Sequence, residues 1–161
     1  MSAAADQISV PAVAFPSRAW FQRLADLMNA HRARQEQLGY VDCVAQFTIL
    51  DGGADGGPLA YRVTFEEFSA LDVVEVATSD LGNADFALEG RLAAWREMIE
   101  NIAAGNGRPD LEHTLNRLSH MGTPLKLTYP DPVRMDCYFR FNQSLQEFVN
   151  ASAQFTTTFG R

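Results

Sequence analysis

The spacing of apolar residues along the chain switches from helical to strand-like and back to helical. Residues 1–15 are weakly patterned and predict an irregular lead-in. From Trp20 to Leu38 apolar side chains recur every three or four positions, which predicts an amphipathic helix. Ser17 is its candidate N-cap and Gly39 its candidate stop.

A strand-like period of two follows in the next part of the chain. Residues 41–49 and 59–66 alternate apolar and polar side chains. Between them lies the glycine-rich segment 51–57, whose glycines accept the positive φ angles of a turn, so an antiparallel hairpin is predicted. Further strands are expected at 71–78 and 84–89.

Helical spacing returns after the fourth predicted strand. Apolar residues predict a helix over 92–102 that closes at Gly105. Pro109 and Asp110 are then expected to open a short second helix. Residues 125–128 predict a fifth, short strand.

The C-terminal part predicts about five helical turns. Asp131 and Pro132 form a typical helix start, with a capping carboxylate before a proline at the first helical position. Apolar side chains recur at helical spacing from Val133 to Ser152. This pattern leaves open either one long helix or two helices broken near Asn142.

The order of these elements defines the fold class. Consecutive strands joined by short turns, with helices grouped before and after them, predict an α+β fold with a five-stranded, mostly antiparallel sheet and helices packed on one face. The 161 residues suit one core, so residues 16–161 are assigned to a single domain.

Composition and charge narrow the function classes. The net charge of −7 argues against a nucleic-acid binder, which needs a basic surface. The N-terminal residues lack lysine and arginine, and no apolar run reaches 18 residues, so we expect neither a secretory signal nor a membrane-spanning segment. Cys43 and Cys137 are too few for a disulfide framework. These features predict a cytoplasmic protein with reduced thiols.

Charge is distributed unevenly along the chain. Residues 1–80 carry 5 basic and 11 acidic side chains, whereas residues 81–161 carry 8 and 9. An anionic head group on a ligand is therefore expected to prefer the second half.

No strong catalytic or metal-binding signature is present. The chain lacks a Gly-x-Ser-x-Gly elbow and a phosphate-binding Gly-x-x-x-x-Gly-Lys loop. His113 and His120 are seven residues apart, whereas helical metal ligands are normally three or four apart. His31, on the apolar stripe of the first helix, has no evident partner. We therefore expect no metal, no cofactor and no enzymatic activity. A lipid-directed enzyme with Asp85 as base stays a weaker alternative, in which Tyr61 or Tyr138 donates the proton.

Aromatic residues are abundant near the C-terminus. Seven of the chain's seventeen aromatic residues fall between Tyr129 and Phe159, and Phe139 lies off the main apolar stripe. A helix with so wide an apolar surface is either deeply buried or faces a pocket. The pattern by itself favours a packed core, and the functional alternative is a lipophilic hollow between sheet and helices.

Several segments resemble the sterol carrier protein type-two superfamily. Ala84-Asp-Phe-Ala-Leu-Glu-Gly90 and the following Arg91-Leu-Ala-Ala-Trp95 resemble its strand-to-helix passage, and Ile102-Ala-Ala-Gly105 resembles the helix closure. His120-Met-Gly-Thr-Pro-Leu-Lys-Leu127 resembles the last strand more loosely. The resemblance implies a five-stranded sheet with helices on one face and an apolar cavity for a sterol, fatty acid or fatty acyl group. With Lys126 as the only lysine, the composition also suggests a GC-rich bacterial genome, and we predict an actinobacterial member.

These observations give a leading and an alternative hypothesis. The first is a small lipid carrier, and the second is a protein–protein interaction module that uses its aromatic C-terminal helix and could form a homodimer. Arg91, Arg96 and Lys126 are predicted to steer the head group. The predicted lipid-binding residues are Phe86, Leu88, Trp95, Met98, Ile99, Leu118, Met121, Phe141, Leu145 and Phe148.

Overall fold

The computed structural model describes residues 11–159, which form a five-stranded mixed sheet, a small two-stranded sheet and the helices around them. The strands are β1 Val13–Phe15, β2 Val41–Ile49, β3 Leu59–Glu67, β4 Ser69–Val76, β5 Phe86–Gly90, β6 Lys126–Thr128 and β7 Thr157–Phe159. The helices are α1 Arg18–Ala30, α2 Arg32–Leu38, α3 Leu92–Ala104, α4 Leu115–Ser119, α5 Pro132–Arg140 and α6 Asn142–Asn150, followed by a 3₁₀ turn at Ala151–Gln154.

The main sheet has five strands in the order β4-β3-β2-β5-β6. All neighbours pair antiparallel except β2 and β5, which run parallel with Ala45 opposite Phe86 and Ile49 opposite Gly90. This confirms the predicted α+β class with a five-stranded, mostly antiparallel sheet. The expectation that short turns join consecutive strands is wrong at one point, because the chain crosses from the β4 edge past β3 and β2 before it enters β5.

The first predicted helix is two helices, α1 and α2. Ser17 caps α1 as predicted, since its hydroxyl accepts a hydrogen bond from the Trp20 amide at 3.0 Å. At His31 the ring Nδ1 donates to the Leu27 carbonyl at 2.7 Å and the backbone N–H turns to the Met28 carbonyl at 3.1 Å. The side chain thus takes the acceptor that the next helical N–H would use, and the helix breaks there.

The segment before α4 differs from the prediction. We expected a helix from Pro109 and Asp110, but α4 begins after Thr114, whose hydroxyl accepts from the Arg117 amide at 3.2 Å. Asp110 does not cap a helix because its carboxylate accepts from the amide of Glu112, two residues along, in a local turn.

The C-terminal helix is broken, as one of the two alternatives foresaw. Asp131 caps α5 by accepting from the Arg134 amide at 2.9 Å. The break falls at Phe141, where φ is −104° and ψ is 16°, directly before Asn142.

The expectation of an irregular lead-in is wrong for Val13–Phe15. These residues form β1, which pairs parallel with β7 through Val13 opposite Thr157 and Phe15 opposite Phe159. In the rest of the predicted lead-in, residues 11–12 have no regular secondary structure, and residues 1–10 lie outside the described part of the chain.

Aromatic rings occupy the interface between the sheet and the helices. Phe47 at the centre of β2 has a centroid distance of 5.2 Å to Phe21 on α1 and 6.0 Å to Phe148 on α6. Phe148 also meets Phe65 of β3 edge-on at 5.1 Å. The Trp95 indole donates to the Thr48 carbonyl at 3.1 Å and so ties α3 to β2. These side chains form a packed core.

The crossover between β4 and β5 lies against the polar face of the sheet. Arg62 of β3 donates to the Gln46 side chain at 2.7 Å and to the Asp80 carbonyl of the crossover at 2.8 Å. Gln46 and Thr48 are buried beneath it and hydrogen-bond each other at 3.0 Å.

Among the described residues no helix is both long and apolar enough to cross a membrane.

Candidate functional site

Most of the predicted lipid-binding residues belong to the core. Met121 differs, since it is 80% exposed on the turn after α4. The other nine are exposed by no more than 9%, namely Phe86, Leu88, Trp95, Met98, Ile99, Leu118, Phe141, Leu145 and Phe148. The apolar pattern of the sequence therefore identified residues of the buried interior. Of these nine residues, Phe148 also lines the pocket described below.

The three predicted head-group residues lie outside the lining of the pocket described in the next paragraph. Arg91 is 78% exposed and 4.0 Å from Asp51. Arg96 is paired with Glu100 at 2.7 Å, and its guanidinium lies 4.8 Å from the centre of the Phe159 ring. Lys126 is exposed on β6.

An open pocket of about 710 Å³ lies where α1, α2, the loop after α3 and α6 meet. We call it the α1–α6 pocket. Its size falls within the range of about 300–1,000 Å³ that is usual for small-molecule sites. Its apolar lining consists of Leu27, Met28, Phe148, Ala151 and Ala153. Its polar and backbone lining is formed by His31, Arg34, Gln35, Asn106, Gly107, Arg108, Pro109, Thr114, Gln146, Glu147, Asn150 and Gln154.

The helix break at His31 shapes one side of this pocket. Met28 belongs to the buried stripe of α1, and the chain then restarts as α2 with Arg34 exposed and Gln35 buried. Gln35 is 4% exposed, and its Oε1 has no hydrogen-bond partner within residues 11–159. Such a group lies ready for a ligand or a water molecule.

The loop after α3 forms the opposite side and depends on one glycine. A Cβ at Gly105 would lie 1.9 Å from the Arg108 carbonyl oxygen, so the tight turn that closes α3 admits no side chain there. The Arg108 amide donates to the Gly105 carbonyl at 3.2 Å. This turn places Arg108 and Pro109 in the pocket lining.

A histidine between two carboxylates holds the same loop. Nδ1 of His113 hydrogen-bonds Asp110 at 2.6 Å, and Nε2 hydrogen-bonds Glu97 of α3 at 3.1 Å. The bond to Asp110, followed by that to Glu97, raises the pKa of His113, and the bond to His113 lowers the pKa of Asp110. Asn101 of α3 adds two hydrogen bonds to Asp110, each 2.9 Å. The loop is thus fixed to α3.

The lining of the α1–α6 pocket carries more positive than negative charge. Arg34 and Arg108 contribute two guanidinium groups, and Glu147 contributes the single carboxylate of the lining. Arg34 is paired with Glu147 at 3.2 Å. The whole chain has a net charge of −7, so the positive balance of this lining distinguishes the pocket from the chain as a whole.

A smaller pocket of about 350 Å³ adjoins the first on the far side of the 3₁₀ turn. The two share Ala153 and Gln154, while Ile99 and Phe155 contribute apolar surface to the smaller one. Another opening, of about 330 Å³, brings together Leu118 and Met121 beside Pro124 and is separate from both. None of these three pockets unites the predicted lipid-binding residues.

Two of the three groups of the alternative enzyme hypothesis, Asp85 and Tyr138, are hydrogen-bonded to other groups, and the buried Tyr61 hydroxyl has no hydrogen-bond partner within residues 11–159. Asp85 accepts from the Val44 amide at 2.7 Å and from Arg134 at 3.0 Å. Tyr138 hydrogen-bonds Ser119 at 2.8 Å, and the ring of Tyr61 stacks under α1. The structure does not assemble these residues into a site with a free base.

The cysteines and histidines also form no reactive centre in the described part of the chain. Cys43 and Cys137 are free, and burial raises the pKa of both thiols, so the reactive thiolate is disfavoured. Within residues 11–159 no group of three or more histidine, cysteine, aspartate or glutamate side chains could hold a metal ion.

Sequence reasoning missed Arg34, Gln35 and Arg108. They come from separate segments and belong to no motif, and on α2 the arginine looks like any solvated surface charge. The one signal was the Gly105-Asn-Gly107 sequence before Arg108, which indicated a sharp turn but not what the turn would face.

Comparison with known proteins supports the architecture. No protein-family model and no curated protein matches the chain. Solved structures of the sterol carrier protein type share its fold. A crystal structure of sterol carrier protein 2 has a TM-score of 0.63 and 18% identity, covering 87% of this chain and 98% of that one. A conserved hypothetical protein of Thermus thermophilus, described as a possible sterol carrier protein, has a TM-score of 0.62 and 17% identity, covering 93% of this chain and 96% of its own.

Proposed function

We propose that this protein is a small lipid carrier that binds the apolar part of a fatty acyl or sterol-like molecule in the α1–α6 pocket. The observation that carries the proposal is that this open pocket has Phe148 in its lining, a residue that also packs on Phe47 and Phe65 in the core. An apolar ligand can therefore enter from solvent and rest directly on the hydrophobic interior. The fold shared with sterol carrier proteins supports the same class of function.

The energetics suit a ligand with a chain. Each buried methylene contributes about 0.8 kcal/mol, so a ten-carbon chain offers about 8 kcal/mol in full burial. Association costs about 4 kcal/mol or more in lost freedom, which leaves a useful affinity without many polar contacts. The half-buried Leu27 supplies apolar surface for the first methylenes, and the buried Met28 and Phe148 lie behind it at the pocket wall.

The predicted core residues have a secondary place in this proposal. Ile99 lines the adjoining pocket, which lies across the 3₁₀ turn from the first. Phe86, Leu88 and Leu145 are buried in the core, and the proposal gives them no direct contact with the ligand. Arg91, Arg96 and Lys126 are proposed to act at long range, by steering an anion toward the protein.

Native mass spectrometry of freshly purified protein, followed by displacement of a fluorescent fatty acid, tests the proposal. We expect retained lipid in the mass spectrum and saturable displacement in solution. Ala151→Trp places a bulky ring in the pocket and should abolish binding while the chain stays folded. The matched control is Ala93→Trp on the exposed side of α3, which should bind normally.

Three results would contradict the proposal. The first is an empty protein that displaces no probe. The second is a wild-type protein that carries no lipid but self-associates tightly, which would favour the interaction module instead. The third is equal binding by Ala151→Trp and wild type, which would place the ligand outside the α1–α6 pocket.

A further inference from the structure

We propose that the α1–α6 pocket selects amphiphiles with an anionic head group, a carboxylate or a phosphate monoester, and that Arg108 receives this head group. This inference rests on the proposed function and specifies its ligand class. It differs from the sequence-based expectation, which placed the head group at Arg91, Arg96 and Lys126.

Arg108 has no carboxylate partner, unlike many arginines of the chain. Within residues 11–159 no carboxylate oxygen lies within 4.0 Å of its guanidinium. Arg108 is also exposed, and it belongs to the pocket lining. By contrast, six arginines have a carboxylate within 3.2 Å: Arg32, Arg34, Arg96, Arg117, Arg134 and Arg140.

The chemistry of the guanidinium suits an anionic head group. It presents five N–H donors in a planar fork that matches the two oxygens of a carboxylate or of a phosphate. Such charge-assisted pairs are about twice as strong as neutral hydrogen bonds. An alcohol head group of the same chain length gains neither the charge nor the fork.

The loop after α3 presents Arg108 in a fixed place. The Gly105 turn admits no side chain, and the Asp110–His113–Glu97 hydrogen bonds hold the following residues on α3. A preorganised backbone reduces the entropy that is lost on binding. Arg108 lies on the same pocket as Met28 and Phe148, so one ligand reaches a cation and an apolar surface together.

Arg34 lies on the opposite side of the α1–α6 pocket and adds a second, weaker attraction for the anionic head group. Its guanidinium is paired with Glu147, which partly neutralises it, so an arriving anion must compete with that carboxylate. The balance of the lining still favours an anion, with two guanidinium groups against one carboxylate.

The test compares three ten-carbon ligands below their aggregation limits by isothermal titration calorimetry. Decanoate and decyl phosphate carry the two anionic heads, and decanol carries a neutral one. We expect at least one anion to bind about 10-fold more tightly than decanol, as one charge-assisted contact allows. Arg108→Gln should remove this preference and leave decanol binding unchanged. Arg23→Gln, at an exposed arginine of α1 outside the pocket lining, should keep the preference.

The outcomes separate this inference from the proposed function. If all three ligands bind equally to the wild type, or if Arg108→Gln keeps the preference, the pocket is a lipid site without anion selection and the inference is wrong. The inference also fails if Arg23→Gln loses as much anion affinity as Arg108→Gln. If no ligand binds at all, the proposed function fails and the inference fails with it. Preference for one anion over the other identifies the head group and supports the inference.

Discussion

Nδ1 of His113 lies 2.6 Å from Oδ1 of Asp110, and this bond holds the loop that forms one side of the α1–α6 pocket. The other ring nitrogen bonds Glu97 on α3. With a carboxylate on each nitrogen, the imidazolium form is favoured, because both nitrogens then donate. The anchoring of the loop should therefore depend on pH.

The pair predicts a window of maximal stabilisation. The pKa of His113 is raised in the folded protein, so its contribution is fully present below the unfolded value of about 6.5 and is lost as the pH rises through the folded pKa. The pKa of Asp110 is lowered, so its contribution is present above about 3.9 and is lost as the pH falls through the folded pKa. The pair therefore stabilises most between these two limits.

Urea unfolding of wild type and His113→Gln checks this prediction. The difference in free energy of unfolding should be larger at pH 5.5 than at pH 8.5. His120→Gln removes an exposed histidine outside the cluster and should show no such trend. A difference for His113→Gln that stays constant from pH 5.5 to 8.5 would contradict the assignment.

Gly105→Ala should destabilise the protein by about 2 kcal/mol or more, because the new Cβ meets the Arg108 carbonyl oxygen. Gly56→Ala is the comparison, since that position has φ +81° but open space around it. Its cost should be only the conformational one, about 1 kcal/mol. Equal shifts in urea midpoint for the two variants would show that the turn at Gly105 relaxes freely.

Asp85 should act as a structural anchor of the crossover. Its carboxylate joins the Val44 amide to Arg134 of α5, and Arg134 also donates to the Asn83 carbonyl. Asp85→Ala leaves the partly buried Val44 amide unpaired and should cost about 1–3 kcal/mol. Arg140→Gln, which removes an exposed pair within α5, should cost less than about 1 kcal/mol.

Chemical denaturation of these two variants measures the difference. The anchoring role is wrong if Asp85→Ala is no less stable than Arg140→Gln. It is equally wrong if Asp85→Ala keeps its stability but loses turnover of a lipid substrate, which would restore Asp85 as a base.

Phe148 joins the core to the pocket, so its substitution should affect both. Phe148→Ala should cost about 3–5 kcal/mol by leaving a cavity against Phe47 and Phe65. Phe148→Leu keeps more of the packing and enlarges the pocket, so it should remain folded and bind longer chains more tightly than the wild type. Fatty acid displacement over a series of chain lengths measures this, and an unchanged length profile would contradict the role of Phe148.

Local signals explain what the sequence predicted well. The caps at Ser17 and Asp131 and the alternation of β2 and β3 depend on residues close in sequence, so pattern reasoning reached them. The sequence pattern did not predict the β1–β7 pair, because each strand has three residues and its partner lies at the other end of the chain. The helix break at His31 was not predicted, because it depends on a side chain that competes with the backbone for the Leu27 carbonyl, and apolar spacing does not report such a bond.

The candidate site was harder to predict for the same physical reason. The apolar pattern identified buried residues, but a core residue and a pocket residue share one pattern, and only packing separates them. Met121 fits the apolar stripe yet lies in solvent. Arg108 reaches the pocket through a glycine turn whose direction depends on contacts with α3.

The central claim is that a lipid occupies the α1–α6 pocket, and amide chemical-shift mapping during a decanoate titration locates the ligand directly. We predict that the largest saturable shifts fall on Leu27, Gly107 and Ala151, three pocket residues from separate segments. Shifts concentrated on β6 or the outer side of α5, or no shifts at saturating decanoate, would contradict this claim.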